Sequence, residues 1–506
     1  MYHYLLAFLI LPLILYKLYG RYNNRQINGE LRKLQSGPPT KLLVGNALDF
    51  KPSLMHEWTM QYTRSHLPSH THNWYYYILS DVSIVINNPF DLNYILDSHQ
   101  NRFGKSDVYG KMLDWCSTGS LLQTDGQIWT DQRKVLSHAF SMKSVQQMYG
   151  TVIGKAQQLV QQLNKQLTKS STVDISVWVA CYTQDIIGSV GFHYEMNSLS
   201  GDLTYRHAAE DILRECWARV VRLFPFQDSE LQSRGRAGIQ LMHNTIKTVI
   251  AQRQSAGVSG KDTDILAVMM RAADDPSKTF PPAGYDLQSQ YVNQTLLFLI
   301  AGADTTSSAL NSALYFLAKY PQYQHKLRDE LNTLDCTVAQ QTYVSALGKL
   351  PYMNAIINET LRLRPSASTV TRKLLKSPDN ANHTIRLPSG LLVTDNMNLD
   401  CQILQVQTST QIWGNDAHEF KPDRWLQSDI KFDNQYELKH VFLPFLHGPR
   451  ACIGQYLAKI EMLVAIDIIV RQYEQQLVKE PQFECAISMA YTDGLYLKCT
   501  SLHNVK

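Results

Sequence analysis

Residues 442–454, Phe-Leu-Pro-Phe-Leu-His-Gly-Pro-Arg-Ala-Cys-Ile-Gly, place one cysteine where its surroundings change its chemistry. Gly448 and Gly454 bracket Cys452, and the stretch after them, QYLAKIEMLVAIDIIV, has an amphipathic helical pattern. The two glycines permit a tight turn and a close approach of backbone to a flat ligand. A cysteine just before a helix has its thiolate favoured by the helix dipole and by backbone N–H groups without helical partners. Arg450, two residues earlier, can pair with a carboxylate of the same ligand. Zinc does not fit: no second cysteine lies nearby, and His447 alone makes no site. The other seven cysteines (Cys116, Cys181, Cys216, Cys336, Cys401, Cys485 and Cys499) form no CxxC pair and are expected to be small buried side chains.

Three other groupings bear on the chemistry. In Ala301-Gly-Ala-Asp304-Thr305-Thr306 a threonine hydroxyl can bond back to the carbonyl four residues earlier, Ala301 for Thr305, and open the helix locally. Glu359 and Arg362 stand three apart and share a helix face, so they can pair. Trp129 and Arg133 share a face in the same way, four apart.

These residues need elements to hold them. A helix is predicted from about residue 289 to 319, ending before Tyr320-Pro321; it would span roughly 45 Å. Residues 74–79 and 83–86 read as strands about a turn at Ser80-Asp81, and 384–387 with 391–394 as a hairpin. Most of the remainder is helical in pattern, giving a mainly α protein with a small β-rich lobe and one large catalytic domain. The 506 residues are 44% hydrophobic and 18% charged, an ordinary globular balance. A net charge of +4 without a Lys/Arg run gives no reason to expect nucleic acid.

Residues 1–16 contain no Asp, Glu, Lys or Arg, and the basic residues (Lys17, Arg21, Arg25, Arg32, Lys33) follow them. That asymmetry argues for a retained single-pass anchor with the body on the cytosolic side, rather than a cleaved signal peptide. Residues 1–20 are therefore read as the anchor, 21–40 as a basic and Pro-rich hinge containing Ser36-Gly-Pro-Pro39, and 41–506 as the catalytic body.

Phe445-x-x-Gly448-x-Arg450-x-Cys452-x-Gly454 resembles the haem-binding loop of the cytochrome P-450 superfamily, eukaryotic microsomal type, nearest in flavour to fatty-acid and steroid hydroxylases. The resemblance extends over about residues 36 to 500 and implies that fold. It implies haem b with Cys452 as iron ligand and Phe445 against the ring. Trp129, Arg133, Arg372 and Arg450 would serve the propionates, three arginines for two carboxylates. It identifies Ala301–Thr306 with the oxygen-activation motif, in which Gly302 lets dioxygen lie against backbone while Asp304 and Thr305 relay protons. Glu359 and Arg362 would be joined by Arg424 of Pro422-Asp-Arg424-Trp425, a segment similar to the family's P-E-R-F, in a structural network. Fatty-acid ω-hydroxylases often carry Glu before the motif glycine, where it can esterify the haem; Ala301 stands there, implying non-covalent haem.

The implied reaction is RH + O₂ + two electrons + two protons → ROH + H₂O, the thiolate favouring O–O cleavage. No flavin or nicotinamide fingerprint occurs in the chain, so electrons are expected from NADPH–cytochrome P-450 reductase, with cytochrome b5 as a second donor, at the endoplasmic reticulum membrane. Arg133, Lys134, Lys143 and Lys439 are candidates for a basic docking face. The substrate is expected to be lipophilic: a fatty acid, sterol or steroid, terpenoid or xenobiotic. Lining is expected from residues 103–122, 208–226, 297–301, 366–370 and 488–491. The rival readings are a haem-thiolate isomerase or peroxygenase, against which the Asp304-Thr305 pair argues, and a non-catalytic haem or sterol carrier.

Overall fold

The computed structural model describes residues 35–36, 46, 55–67, 72–78, 81–221, 228–335, 337–376, 383–427, 430, 432, 436–485 and 487–502. The expected anchor at 1–20, and the expected hinge apart from Gln35–Ser36, lie outside the described residues. Among the described residues no helix is long and apolar enough to cross a membrane. The chain divides into two compact units: one takes the residues up to Val108, Ser368–His418 and Lys431–Ala451; the other takes Tyr109–Ala367, Glu419–Ile430 and Cys452 onward.

The first unit is the β-rich one. Its six-stranded sheet has, from one edge to the other, Gln35–Ser36, Trp74–Ile78, Asp81–Ile86, Met397–Gln402, Thr369–Leu374 and Phe103–Lys105. Asp81, expected in a turn, instead pairs with Ile78 inside the antiparallel ladder. The Asp81–Ile86 strand is apolar beyond its first residue (VSIVI) and buried from Val82 to Ile86, as a central strand covered on both faces should be. Trp74 and Tyr76 pack with Trp58 and Tyr62 against one side of the sheet. The expected hairpin forms, Thr384–Arg386 with Leu392–Thr394.

The second unit is helical, with a three-stranded and a two-stranded sheet added. Six of its helices bear on function: α1 (Gly126–Leu136), α2 (Ile175–Phe192), α3 (Thr204–Val221), α4 (Leu287–Lys319), α5 (Pro351–Leu363) and α6 (Gln455–Gln472). Helix α4 is the predicted long helix, 33 residues and so about 50 Å. Asp286 caps it by accepting the Ser289 N–H at 2.8 Å, and it stops at Tyr320 because Pro321 opens the next helix. Its sequence is apolar on most faces, and it is buried accordingly. It packs chiefly on α2, whose Thr183 hydroxyl donates to the Ala303 carbonyl of α4 at 2.9 Å.

Candidate active site

In the second unit Cys452 lies just before α6, with Gly454 as N-cap. The N–H groups of Gly454 and Gln455 at the start of α6 favour its thiolate, as the helix-start pattern predicts. Enclosure by protein is the largest influence on the thiol and pushes its pKa up; the two N–H groups and the Arg133 guanidinium pull it down. The sulfur is nevertheless exposed. Gly454 needs no special conformation (φ −88°), correcting the tight-turn expectation there. A Cβ on it would meet nothing nearer than Phe140 Cε1 at 3.9 Å.

Trp129 and Arg133 lie on α1, half-buried and one turn apart. Burial pushes the Arg133 pKa down and the Cys452 charge pulls it up. Arg133 is half-buried, while Lys134 and Lys143 are exposed.

Along α4 the chain is buried from Thr306 to Ala318, yet Ile300, Ala301, Gly302, Asp304 and Thr305 are partly open. Positions 301, 302, 304 and 305 form one helix face. The Thr305 hydroxyl donates to the Ala301 carbonyl at 2.9 Å, as the spacing predicts. A bond missed from sequence reinforces this opening: Ser366 Oγ–H donates to the Thr305 carbonyl at 2.6 Å. Gly302 has a packing reason to be glycine beside the one expected. Its absent Cβ would sit 3.1 Å from Ile187 Cγ1, so the position is set by close approach of α2. Asp304 is pushed up to about 6, chiefly by desolvation, against the effect of a hydrogen bond from Ser488 and with the charge of Glu210 on α3 adding to the rise.

The expected carboxylate network is present and has more members than expected. Arg362 grips Glu359 with both Nε (2.8 Å) and Nη2 (2.9 Å), and Arg424 Nε donates to the same carboxylate at 2.9 Å. The Trp425 indole (2.9 Å) and the Lys421 N–H (3.0 Å) complete it. Glu359 and Arg362 have no exposed surface. Burial alone would raise the Glu359 pKa, but Arg362 and Arg424 hold it below the ordinary range. The network ties α5 to the segment 419–426.

The first unit carries the remaining predicted residues. Gly448 has φ +73°, and a Cβ there would lie 2.5 Å from Asp97 Oδ1, so this glycine is required. Leu446 shares the left-handed conformation (φ 58°), tightening the loop beside half-buried Phe445. Arg450 Nε donates to Gln100 at 3.1 Å. Arg372 is buried in its strand, with Nη1 donating to the Thr371 carbonyl at 2.9 Å. Lys439 pairs with Glu437 at 2.9 Å, which offsets its charge on any docking face. Among the described residues no cluster of three His, Cys, Asp or Glu could hold a bare metal ion.

The Cys452 surroundings fit an iron-bound thiolate: the N–H groups at the start of α6 and the Arg133 guanidinium both favour its negative charge. The family Cytochrome P450 matches residues 36–490. Cytochrome P450 monooxygenase sphH of Aspergillus fumigatus is 26% identical over 93% of this chain and 88% of its own length. Cytochrome P450 704B1 of Arabidopsis thaliana is 26% identical over 88% and 90%. The bifunctional cytochrome P450/NADPH–P450 reductase 1 of Bacillus subtilis is 29% identical over 72% of this chain and 32% of its own length. A match across this much of the chain settles the family: the chain belongs to the cytochrome P-450 family, haem b enzymes with a cysteine thiolate ligand, and is a monooxygenase.

Proposed function

We propose that Cys452 is the thiolate ligand of a non-covalently held haem b, and that the chain hydroxylates a lipophilic substrate with electrons relayed from NADPH by a reductase. The observation that carries this is the place of Cys452 immediately before α6, where the Gly454 and Gln455 N–H groups and the Arg133 charge favour its thiolate. Bound haem with a thiolate ligand supplies reductive cleavage of dioxygen and insertion of one oxygen atom into substrate. Trp129, Arg133, Arg372 and Arg450 are the proposed propionate donors, with Phe445 against the ring. Ala301 carries no carboxylate with which to form an ester.

The protein's own work is positioning and proton supply. Thr305 Oγ1 is fixed by its bond to the Ala301 carbonyl, which leaves its lone pairs free to accept a further bond. Asp304, with its pKa near 6, both accepts and releases protons around neutral pH, as a relay group must. The apolar segment 297–301 (Leu-Phe-Leu-Ile-Ala) favours a lipophilic substrate. The charge-free run at 1–16 followed by basic residues supports a single-pass anchor in the endoplasmic reticulum membrane, with the body in the cytosol near NADPH–cytochrome P-450 reductase and cytochrome b5.

Reconstitution with that reductase tests the reading. Substrate-dependent NADPH consumption with hydroxylated product is expected. Turnover driven by peroxide alone, or isomerisation without NADPH, would replace the monooxygenase reading with one of its rivals.

A further inference from the structure

Cys116 and Cys216 stand a hundred positions apart in the chain, yet their sulfurs lie 3.8 Å from each other in the second unit. Both are buried, at 5% and 3% exposure; they fall within the segments 103–122 and 208–226 expected to line the substrate site but are not among the proposed haem-binding or proton-relay residues. Cys116 sits in a turn whose N–H bonds the Leu113 carbonyl at 3.0 Å, while Cys216 is on α3. The turn is held from two sides. His243 Nε2–H donates to the Cys116 carbonyl at 3.2 Å, and Arg219 of α3 lies over the Trp115 ring at 5.3 Å. The helix Ser229–Ala256 presses close, since a Cβ on Gly235 would fall 2.9 Å from Glu215 Cβ and 3.0 Å from Trp115 Cη2. Two thiols are thus pinned side by side by packing that serves no other evident end.

We propose that Cys116 and Cys216 form a reversible disulfide when the protein meets hydrogen peroxide. From 3.8 Å the sulfurs need to close by about 1.8 Å to reach the about 2.0 Å of an S–S bond, a movement within reach of side-chain rotation. The two thiols are not equivalent. The hydrogen bond from Cys216 lowers the Cys116 pKa, burial opposes, and Ser117 and Arg219 lower it further; Cys216 is shifted up. Cys116 is therefore the attacking sulfur. Its thiolate displaces hydroxide from the peroxide O–O bond and becomes a sulfenic acid. Cys216 sulfur then displaces hydroxide from that sulfenic acid, forming the S–S bond. The two thiol protons neutralise the two hydroxides, so two thiols and one peroxide give one disulfide and two waters. The bond ties the turn at 114–117 to α3, the helix whose Glu210 bears on Asp304.

The test uses the full-length, haem-loaded chain, treated with peroxide and then alkylated under denaturing, non-reducing conditions. Peptide mapping is expected to find Cys116 and Cys216 unalkylated and joined, the link vanishing with dithiothreitol and absent from Cys216→Ala. The oxidised parent should also melt at a higher temperature than the reduced parent, a rise that dithiothreitol reverses without any substitution. Full alkylation of both cysteines after peroxide, separate sulfinic acids, or pairing with other cysteines would each overturn the proposal.

Discussion

Replacing Glu359 with glutamine should cost far more stability than its near-identical shape suggests. The carboxylate accepts five bonds, three on Oε1 (Arg362 Nη2, Arg424 Nε, Lys421 N–H) and two on Oε2 (Arg362 Nε, Trp425 Nε1). An amide NH₂ must take the place of one oxygen. Its less damaging orientation puts it at Oε2, facing two donors, and leaves fully buried Arg362 without its counter-charge. Hydrogen bonds to charged groups contribute about 1.5–3 kcal/mol each, and breaking a buried pair costs about 3–5 kcal/mol. E359Q should therefore lose about 3–5 kcal/mol. R424A removes the bond to Glu359 Oε1 from a side chain that retains 11% exposure, and the loss of that bond should cost about 1.5–3 kcal/mol. Urea midpoints followed by far-ultraviolet circular dichroism, converted with a common slope, measure both. The Glu359 pKa is depressed in the fold, so this stabilisation is present above the unfolded value and is lost as pH falls through the folded one. The difference between parent and E359Q should accordingly shrink in acid. A loss within about 0.5 kcal/mol, the range of an inert surface change, or a larger loss in R424A, would refute the reasoning.

Other perturbations separate fold from chemistry. G448A forces a left-handed residue against Asp97 and should cost about 1–3 kcal/mol in urea unfolding, whereas G454A, with φ −88° and free space, should leave apoprotein stability unchanged while lowering haem retention. D304N removes a group whose folded pKa, about 6, is raised above its unfolded value, so the parent loses stability as pH rises through 6. D304N should then melt higher than parent at pH 8 but not at pH 4, and lose the limb near pH 6 from its pH–rate profile. T305V deletes the hydroxyl bonded to Ala301 and should reduce product formed per NADPH by about tenfold or more, with the electrons recovered as peroxide.

Much of this could be read from the chain because its signals are local. The long helix was legible from about residue 289 to the stop at Tyr320-Pro321, and Thr305–Ala301 followed from i−4 geometry. Glu359–Arg362 is also a local pair; Arg424 was reached only through family resemblance, and the Trp425 and Lys421 partners are long-range contacts that spacing does not encode. The packing reason for Gly302 was hidden likewise, because Ile187 comes from a different helix. Ser366 on Thr305 is a contact between elements 61 positions apart. Cys116 and Cys216 looked like two ordinary core thiols, as sequence composition alone would judge them; only tertiary packing makes them a pair.

The most direct measurement is the carbon monoxide difference spectrum of the reduced, haem-loaded chain beside that of C452S. The parent should show the red-shifted Soret band of a thiolate-ligated haem, and C452S should lack it. A parent without that band, or a C452S protein that keeps it, would contradict the assignment of Cys452 as the iron ligand.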